Sequence, residues 1–395
     1  MAAVELGTGL YHVGSRDWNR RQFDALISIP HGTTYNSYII KGKEKTAMVD
    51  TVAPEFEKEF GEKVERIIGI ETIDYLVMNH AEPDHAGAIP YIMGRNKKAR
   101  LLTTKKGAKM AATFYHVPEE RIDVVTEDTT IDLGGRTLRF IDAPFLHWPE
   151  TMFTYLVEDR VLFPCDFFGA HTAFGLYDDD VEDTIYHAKK YFGEIMMPFR
   201  PMAKRALVKV KELGVEMIAP GHGPVYRNCS RILEAYTRWC EGKTKNKATI
   251  VYVTMWHSTE RMVNAFVDTL QQCGVEVALY NLASSDVGDV AADLVDSAAI
   301  VIGTPVVLGG MHPLAMYATY LVKALRPPVK HCAILSSYGW GGGAIKQATE
   351  MLAPLKLNVV GTVEINGPPT KEDMEEVEAT AKALAEKIKE GLQQV

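Results

Sequence analysis

The chain lacks three features that would each indicate a class of protein. It has five cysteines in 395 residues, and none forms a CxxC pair, which argues against a zinc ribbon, a rubredoxin-type iron site and a disulfide framework. It also has no excess of basic charge. Forty-three Lys and Arg stand against 51 Asp and Glu, and the net charge of −8 leaves no electrostatic footprint for nucleic acid or anionic lipid. We therefore expect a reduced, cytoplasmic protein.

Long hydrophobic runs and a signal peptide are absent as well. The longest apolar stretch, residues 298–311, is too short and too broken by Gly and Pro to span a bilayer. The N-terminal segment lacks a basic region followed by an apolar one. With 47% apolar and 24% charged residues the composition is globular, and the length predicts two or three domains with no membrane partner.

The first part of the chain predicts a mixture of short strands and helices. A short helix at 229–240 is followed by 241–247 (EGKTKNK), whose polar, unpatterned composition is typical of a linker. We place domains at residues 1–245 and 246–395. The strands predicted in the first domain from their β-rich composition are 34–41, 47–52, 75–79, 136–142 and 154–163.

The second part has a more regular pattern of apolar strands separated by helix-length segments. Such alternation predicts a doubly wound parallel sheet covered by helices on both faces. The last helix, 371–392, starts at a capping box formed by Thr370 and Asp373 and carries one apolar stripe. The predicted strands are 248–254, 275–280, 298–304, 331–336 and 358–363.

Metal-binding side chains are concentrated in the segment HAEPDHAG, which follows the predicted strand 75–79. His80, Glu82, Asp84 and His85 lie within six residues on this strand-to-helix loop. A lone histidine is usually a structural residue, but four such side chains on one loop indicate a metal site.

Three more candidates each follow an apolar strand: His147, Asp166 and His222. Together the seven residues supply four imidazoles and three carboxylates. This number exceeds the needs of one four- or five-coordinate metal and suits two metals that share a carboxylate. The sequence therefore predicts a dinuclear site.

This arrangement of a ligand-rich loop, a distant His, a distant Asp and a final GHG resembles the metallo-β-lactamase fold. Hydrolases of that fold usually carry HxHxDH, whereas Glu82 stands here in the place of the second His. An anionic oxygen donor favours iron over zinc and stabilises the ferric state. The substitution favours redox chemistry over hydrolysis.

Three loops at the carboxyl ends of strands in the second domain indicate a nucleotide site. The segment TMWHSTE leads into a helix, and its hydroxyls and free backbone N–H groups can bind a phosphate. Loops rich in Gly and aromatic residues at the same sheet edge suit a flat redox-active ring. The set resembles flavodoxin and implies FMN. The candidate residues are Thr254, Met255, Trp256, His257, Ser258, Thr259, Thr304, Pro305, Val306, Val307, Leu308, Gly309, Ser337, Tyr338, Gly339, Trp340, Gly341 and Gly342.

The fusion of the two domains resembles the flavodiiron proteins, also called A-type flavoproteins. The resemblance implies an α/β and α+β architecture, with an αβ/βα sandwich followed by a five-stranded parallel sheet of order 2-1-3-4-5. It implies one iron at His80, Glu82 and His147, a second at Asp84, His85 and His222, and a bridge at Asp166. It also implies that FMN relays electrons to this diiron site, which reduces dioxygen to water or nitric oxide to nitrous oxide.

The same resemblance implies a head-to-tail homodimer, or a dimer of such dimers, in which one chain's flavin serves the other's irons. The chain has no dinucleotide fingerprint. The electron donor is therefore expected to be a separate molecule, either a rubredoxin or a reduced deazaflavin coenzyme.

Family members often carry a further His near the N-terminal Trp, where this chain has Asp24, with His31 only later.

Two other functions remain open from the sequence. One is a dinuclear zinc hydrolase of the metallo-β-lactamase type with an accessory flavodoxin-like module. The other is an electron carrier or redox sensor whose metal site is structural. Glu82 and the flavin loops argue against the hydrolase, and a set of seven ligands argues against a structural site, which usually takes four.

Overall fold

The computed structural model describes residues 3–393, which divide into two compact units. The first unit contains residues up to Tyr191 together with Phe199–Cys240, and the second contains Phe192–Pro198 and the residues from Glu241 onward. In the described part of the chain, no helix is both long enough and apolar enough to cross a bilayer.

Two sheets form the first unit. Within the described residues, one has the strand order Val4–Gly7, Leu10–His12, Tyr38–Lys41, Thr46–Val49, Tyr75–Val77, Arg100–Thr103 and Ile122–Val124. The other has the order Thr130–Asp132, Thr137–Asp142, Met152–Leu156, Val161–Phe163 and Met217–Ile218. The unit also contains two small antiparallel sheets of two strands each. Ser15–Asp17 pairs with Thr33–Tyr35 in one, and Gln22–Phe23 pairs with Ile27–Ser28 in the other.

One apolar core joins the two sheets. Ile40, Val49 and Val77 from the first sheet share a buried cluster with Phe140 and Phe163 from the second. The sheets therefore face each other across this core, which confirms the sandwich. The helices that accompany it are Glu57–Ile67, Pro83–Ala86, Ile89–Arg95, Lys105–Tyr115, Thr184–Tyr191, Arg200–Glu212 and Cys229–Glu241.

Three details of the predicted secondary structure were wrong. The expected single strand 34–41 is two strands in different sheets, since Thr33–Tyr35 pairs with Ser15–Asp17 while Tyr38–Lys41 lies in the large sheet. The expected single strand 154–163 is two antiparallel strands, because the chain reverses in a turn between Leu156 and Val161. The expected linker 241–247 is shorter, since Lys247 is the buried first residue of the next strand, where Asp293 and Asp296 pair with its ammonium group. A lysine with two carboxylate partners can be buried, which composition alone does not indicate.

The second unit is a parallel sheet with the predicted order 2-1-3-4-5. Its strands are, across the sheet, Glu276–Asn281, Lys247–Tyr252, Ala299–Val307, His331–Tyr338 and Asn358–Asn366. Gly310–Met311 folds back on the third strand in the chain as a short hairpin. The helices are Ser258–Gln272, Val287–Leu294, Pro313–Leu325, Ala344–Leu352 and Lys371–Gln393. This order places a topological switch point beside Lys247–Tyr252, where ligands bind in doubly wound sheets.

Candidate metal and flavin sites

The HAEPDHAG loop is shaped by a very short helix. Pro83 occupies the first turn of Pro83–Ala86, and the carbonyl of Glu82 accepts the N–H groups of His85 and Ala86 at 3.0 and 2.9 Å. Proline suits this position because its missing N–H would have no helical partner there. The carbonyl of His85 in turn accepts the N–H and the hydroxyl of Thr51 at 2.6 and 2.8 Å.

The seven candidate metal ligands lie together in two groups. We call His80, Glu82 and His147 the first group, and Asp84, His85 and His222 the second group. The candidate ligand atoms of the first group, together with Asp166, lie within 4.8 Å of one another, and so do those of the second group.

Asp166 faces the first group with one of its carboxylate oxygens. Its Oδ2 lies 3.3 Å from Nε2 of His80 and 3.4 Å from Nε2 of His147. Oε2 of Glu82 lies 3.1 and 3.0 Å from the same two imidazole nitrogens. The four candidate ligand atoms, one each from His80, Glu82, His147 and Asp166, therefore surround one position that suits a metal ion.

Asp166 faces the second group with its other oxygen. Its Oδ1 lies 3.0 Å from Nε2 of His85 and 3.4 Å from Nε2 of His222. Oδ2 of Asp84 lies 3.5 and 3.1 Å from these nitrogens. The carboxylate of Asp166 is thus positioned to bridge two metals.

The site is almost fully buried. His80, His85, His222 and Asp166 are each 1% exposed or less, whereas the side chains of Glu82 and His147 are 15% and 17% exposed. A small molecule would reach the site most directly beside these last two side chains.

The charge of the cluster suits cations. Burial lowers the pKa of His85, but the facing carboxylates of Asp84 and Asp166 raise it to about 10. Burial likewise opposes protonation of His147, and Asp166 and Glu82 raise its pKa to about 10. Three carboxylates in one buried cluster require positive charge, which metal ions can provide in place of protons.

The carboxylate oxygens of the cluster support the same conclusion. Oδ1 of Asp84 is buried and has no hydrogen-bond partner among the described residues, and Oδ2 of Asp84 and Oδ2 of Asp166 face only imidazole nitrogens of the other candidate ligands. Burying a carboxylate oxygen without a partner is costly. The donor set therefore fits a dinuclear metal centre.

Residues outside the predicted set orient two of the imidazoles. Nδ1 of His80 lies 2.7 Å from Oε1 of Glu150, and Nδ1 of His222 lies 2.6 Å from the carbonyl oxygen of Thr34. Each imidazole must therefore donate from Nδ1, which leaves the lone pair of Nε2 directed into the site. Burial opposes ionisation of Glu150, yet the hydrogen bond from His80 lowers its pKa below the ordinary value.

A network of neutral hydrogen bonds holds the loop that carries His222. Nδ2 of Asn36 donates to the carbonyls of Pro220 and Gly223, both at 2.9 Å, and its Oδ1 lies 2.9 Å from Nε2 of the buried His12. Asn36 is 1% exposed. The segment containing Thr34 and Asn36 thus supports the second group of ligands.

Two further side chains lie close to the cluster. The hydroxyl of Tyr191 donates to Oδ1 of Asp166 at 2.7 Å, and the ring centroid of His171 is 5.0 Å from that of His222. Partial burial, and then the charges of Glu82 and Asp84, raise the pKa of Asp24.

The predicted flavin loops form a cavity of about 380 Å³ at the carboxyl ends of the strands. Eleven of the predicted residues line it: Thr254, Met255, Trp256, Ser258, Thr259, Pro305, Val306, Ser337, Tyr338, Gly339 and Trp340. Gly367 and Pro368 also line it and were missed, because they follow the last strand, whose proline-containing loop has no aromatic residue.

The other predicted flavin residues do not line this cavity. The hydroxyl of Thr304 accepts the N–H of His312 and donates to the carbonyl of Pro305. His257 is paired with Glu260, with 2.7 Å between Nδ1 and Oε2. The other predicted flavin residues that do not line the cavity are Val307, Leu308, Gly309, Gly341 and Gly342.

The cavity has polar groups suited to a phosphate. Oγ1 of Thr254 is buried and has no hydrogen-bond partner among the described residues, and the hydroxyl-bearing Ser258 and Ser337 also line the cavity. The helix Ser258–Gln272 begins at the cavity, so its first N–H groups face it. A flat ring with a phosphate fits this combination of hydroxyls, helix N-terminus and aromatic side chains.

Comparison with known proteins gives full-length relatives. The model of the ODP family beta lactamase matches residues 33–223. The chain is 38% identical to the nitric oxide reductase of Moorella thermoacetica, with 98% of each chain covered. It is 32% identical to the coenzyme F420H(2) oxidase of Methanothermobacter marburgensis, with 98% of this chain and 99% of the relative covered.

Solved structures of similar proteins agree over both units. The rubredoxin oxygen:oxidoreductase of Desulfovibrio gigas superposes with a TM-score of 0.95 at 30% identity, with 99% of both chains covered. The flavodiiron protein of Giardia intestinalis also gives a TM-score of 0.95, at 28% identity, with 100% of this chain and 98% of that one covered.

Proposed function

This chain belongs to the flavodiiron protein family of oxidoreductases, and on that premise we propose that it uses two irons and one FMN to reduce dioxygen, nitric oxide or both. The observation that carries the proposal is Asp166, whose two oxygens face two separate groups of ligands. Such a bridging carboxylate is typical of a dinuclear centre.

We assign the first group to one iron, the second group to the other, and Asp166 to both. When bound, the two irons supply one electron each and FMN supplies up to two, which together are the four electrons that reduce dioxygen to two waters. Glu82, Asp84 and Asp166 offset much of the metal charge in the buried site. Glu82 also favours iron over zinc, because it is a hard oxygen donor.

The protein's own groups are arranged to keep this site selective for small molecules. Glu82 and His147 border its exposed side, while the other ligands are enclosed. The hydroxyl of Tyr191 donates to Oδ1 of Asp166 at 2.7 Å and so helps to fix the orientation of that carboxylate.

In the second unit we assign the hydroxyls of Thr254, Ser258 and Thr259 to the FMN phosphate. They lie at the N-terminus of the helix Ser258–Gln272, whose dipole favours an anion. Tyr338 and Trp340 line the same cavity and offer aromatic surface to the flavin ring.

We further propose a separate electron donor and a homodimer. The names of the relatives refer to rubredoxin and to coenzyme F420H(2), and we expect one of these two kinds of donor to reduce the flavin. Trp256, Leu308 and Trp340 are 85%, 103% and 99% exposed around the flavin loops. A second copy of the chain would cover this apolar surface in a head-to-tail dimer.

The test replaces the bridging carboxylate. Asp166→Asn should lose iron and gas consumption while FMN stays bound, because the flavin cavity is formed by residues of the second unit alone. The control is Asp128→Asn, a change of the same kind at an exposed position. Consumption of dioxygen and of nitric oxide is followed with electrodes after anaerobic reduction. Full turnover by Asp166→Asn would contradict the bridging assignment.

A further inference from the structure

The two halves of the metal site differ in what supports their histidines. Oε1 of Glu150 lies 2.7 Å from Nδ1 of His80 and accepts the N–H of Ala81 at 2.9 Å. The Glu150 side chain is wholly buried, and among the described residues it is not part of either group of candidate metal ligands. A charge-assisted hydrogen bond of this kind is stronger than a neutral one, and the low local dielectric increases its effect.

The corresponding partner in the second group is neutral. Nδ1 of His222 lies 2.6 Å from the carbonyl oxygen of Thr34 and 3.4 Å from the hydroxyl of Thr33. This partner fixes the same imidazole tautomer, but it brings no negative charge. The imidazole of His80 is therefore the stronger electron donor of the two.

The carboxylate of Asp166 also directs more of its negative charge toward the first group. The hydroxyl of Tyr191 donates to Oδ1 of Asp166 at 2.7 Å, and this oxygen faces His85 and His222. Oδ2, which faces the first group, lies 3.3 and 3.4 Å from the imidazoles of His80 and His147, and no hydroxyl among the described residues donates to it. The hydrogen bond withdraws negative charge from the oxygen that faces the second group, so the first group receives the larger share.

We propose that Glu150 is a positioning residue that acts through His80 to make the first group the more electron-donating half of the metal site. The inference rests on the proposed function, because it concerns iron in both groups. An iron in the first group is then held more tightly and prefers the ferric state. When dithionite delivers one electron to the diferric site, that electron reduces the iron of the second group, and no bond to the protein breaks.

The experiment uses the full-length protein loaded with iron-57 and compares Glu150→Gln with wild type. Glutamine keeps an oxygen that can accept from His80 and Ala81 and removes only the charge. We expect the affinity of one of the two irons to fall roughly 10- to 100-fold in competition with a chelator. We also expect one Mössbauer doublet to change while the other stays, and the midpoint potential of the iron couple to rise.

Tyr191→Phe provides the complementary variant. It removes the hydrogen bond to Oδ1 of Asp166, so it should change the other doublet and lower the midpoint potential. If Glu150→Gln leaves the doublets, the potential and the iron affinity as in wild type, the assignment of Glu150 is refuted. It is also refuted if both variants alter the same doublet.

Two controls separate charge from general damage. Glu158→Gln removes a carboxylate that accepts from the N–H and hydroxyl of Thr137 elsewhere in the same unit, and it should behave as wild type. Glu150→Asp keeps the charge and should retain more iron than Glu150→Gln. If both Glu150 variants lose iron equally, the side chain acts by packing alone, which would contradict the proposal. FMN content and circular dichroism report whether each variant folds.

Failure of the proposed function would look different. A wild-type protein that binds two zincs and no iron would contradict the flavodiiron function. Zinc affinity measured in the same competition would then still test Glu150, since its hydrogen bond to His80 strengthens that imidazole toward either metal.

Discussion

Gly221 lies directly against one of the proposed ligands, and replacing it tests the packing of the second group. A Cβ atom at this position would lie 2.6 Å from Cε1 and 2.9 Å from Nδ1 of His85, and 3.2 Å from the carbonyl carbon of Cys165. The φ angle of Gly221 is outside the left-handed region, so the conflict is purely steric. His85 is completely buried, with Asp166 on its other side at 3.0 Å.

Gly221→Ala must therefore displace the His85 ring from its position facing Asp84 and Asp166. Overpacking of this kind costs about 1–3 kcal/mol, which corresponds to roughly 5- to 150-fold weaker binding if the cost falls on one metal. The assay is competition between the protein and a chelator for iron, with FMN content measured on the same samples.

The control is Gly94→Ala, because a Cβ at that helical position meets no atom within 4 Å. It should bind iron as wild type does and can be slightly more stable, since alanine favours helices. If Gly221→Ala retains two irons with unchanged affinity, His85 does not occupy the position that we assign to it.

Two further predictions concern stability and flavin binding. Burial lowers the pKa of His12 to about 4, below the unfolded value of about 6.5, so its contribution to stability is complete above pH 6.5 and is lost as the pH falls toward 4. The free energy of unfolding, measured with urea, should therefore fall by up to about 3 kcal/mol less in His12→Gln than in wild type when the pH is lowered from 6.5 to 4. Equal decreases in the two proteins would refute this role of His12. Thr254→Val should weaken FMN binding roughly tenfold or more, measured by flavin fluorescence, because it removes a buried hydroxyl with no other partner among the described residues; unchanged affinity would mean that this hydroxyl does not bind the phosphate.

The seven candidate metal ligands could be singled out from the sequence because they lie on four loops, each of which follows an apolar strand. His80, Asp166 and His222 follow Tyr75–Val77, Val161–Phe163 and Met217–Ile218, and these strand ends meet at one edge of the sandwich. The flavin loops follow strand ends in the same way. The strand order of the second unit and the sandwich of the first were also predicted correctly, but both came from family resemblance, and periodicity alone indicated only a doubly wound parallel sheet.

The supporting residues could not be predicted, because their roles depend on packing between distant segments. Tyr191 ends a helix 25 residues after Asp166, and Glu150 is 70 residues from His80. Neither separation forms a motif. Asn36 lies inside the segment 34–41 that was predicted as a β-strand, where its side chain gave no sign that it binds the loop of His222.

The most direct test of the whole account is the metal and flavin content of the purified wild-type protein, measured by elemental analysis and by chromatography of the released cofactor. The account predicts two irons and one FMN per chain. Two zincs from cells supplied with iron, together with no flavin, would contradict it and would instead support a dinuclear hydrolase.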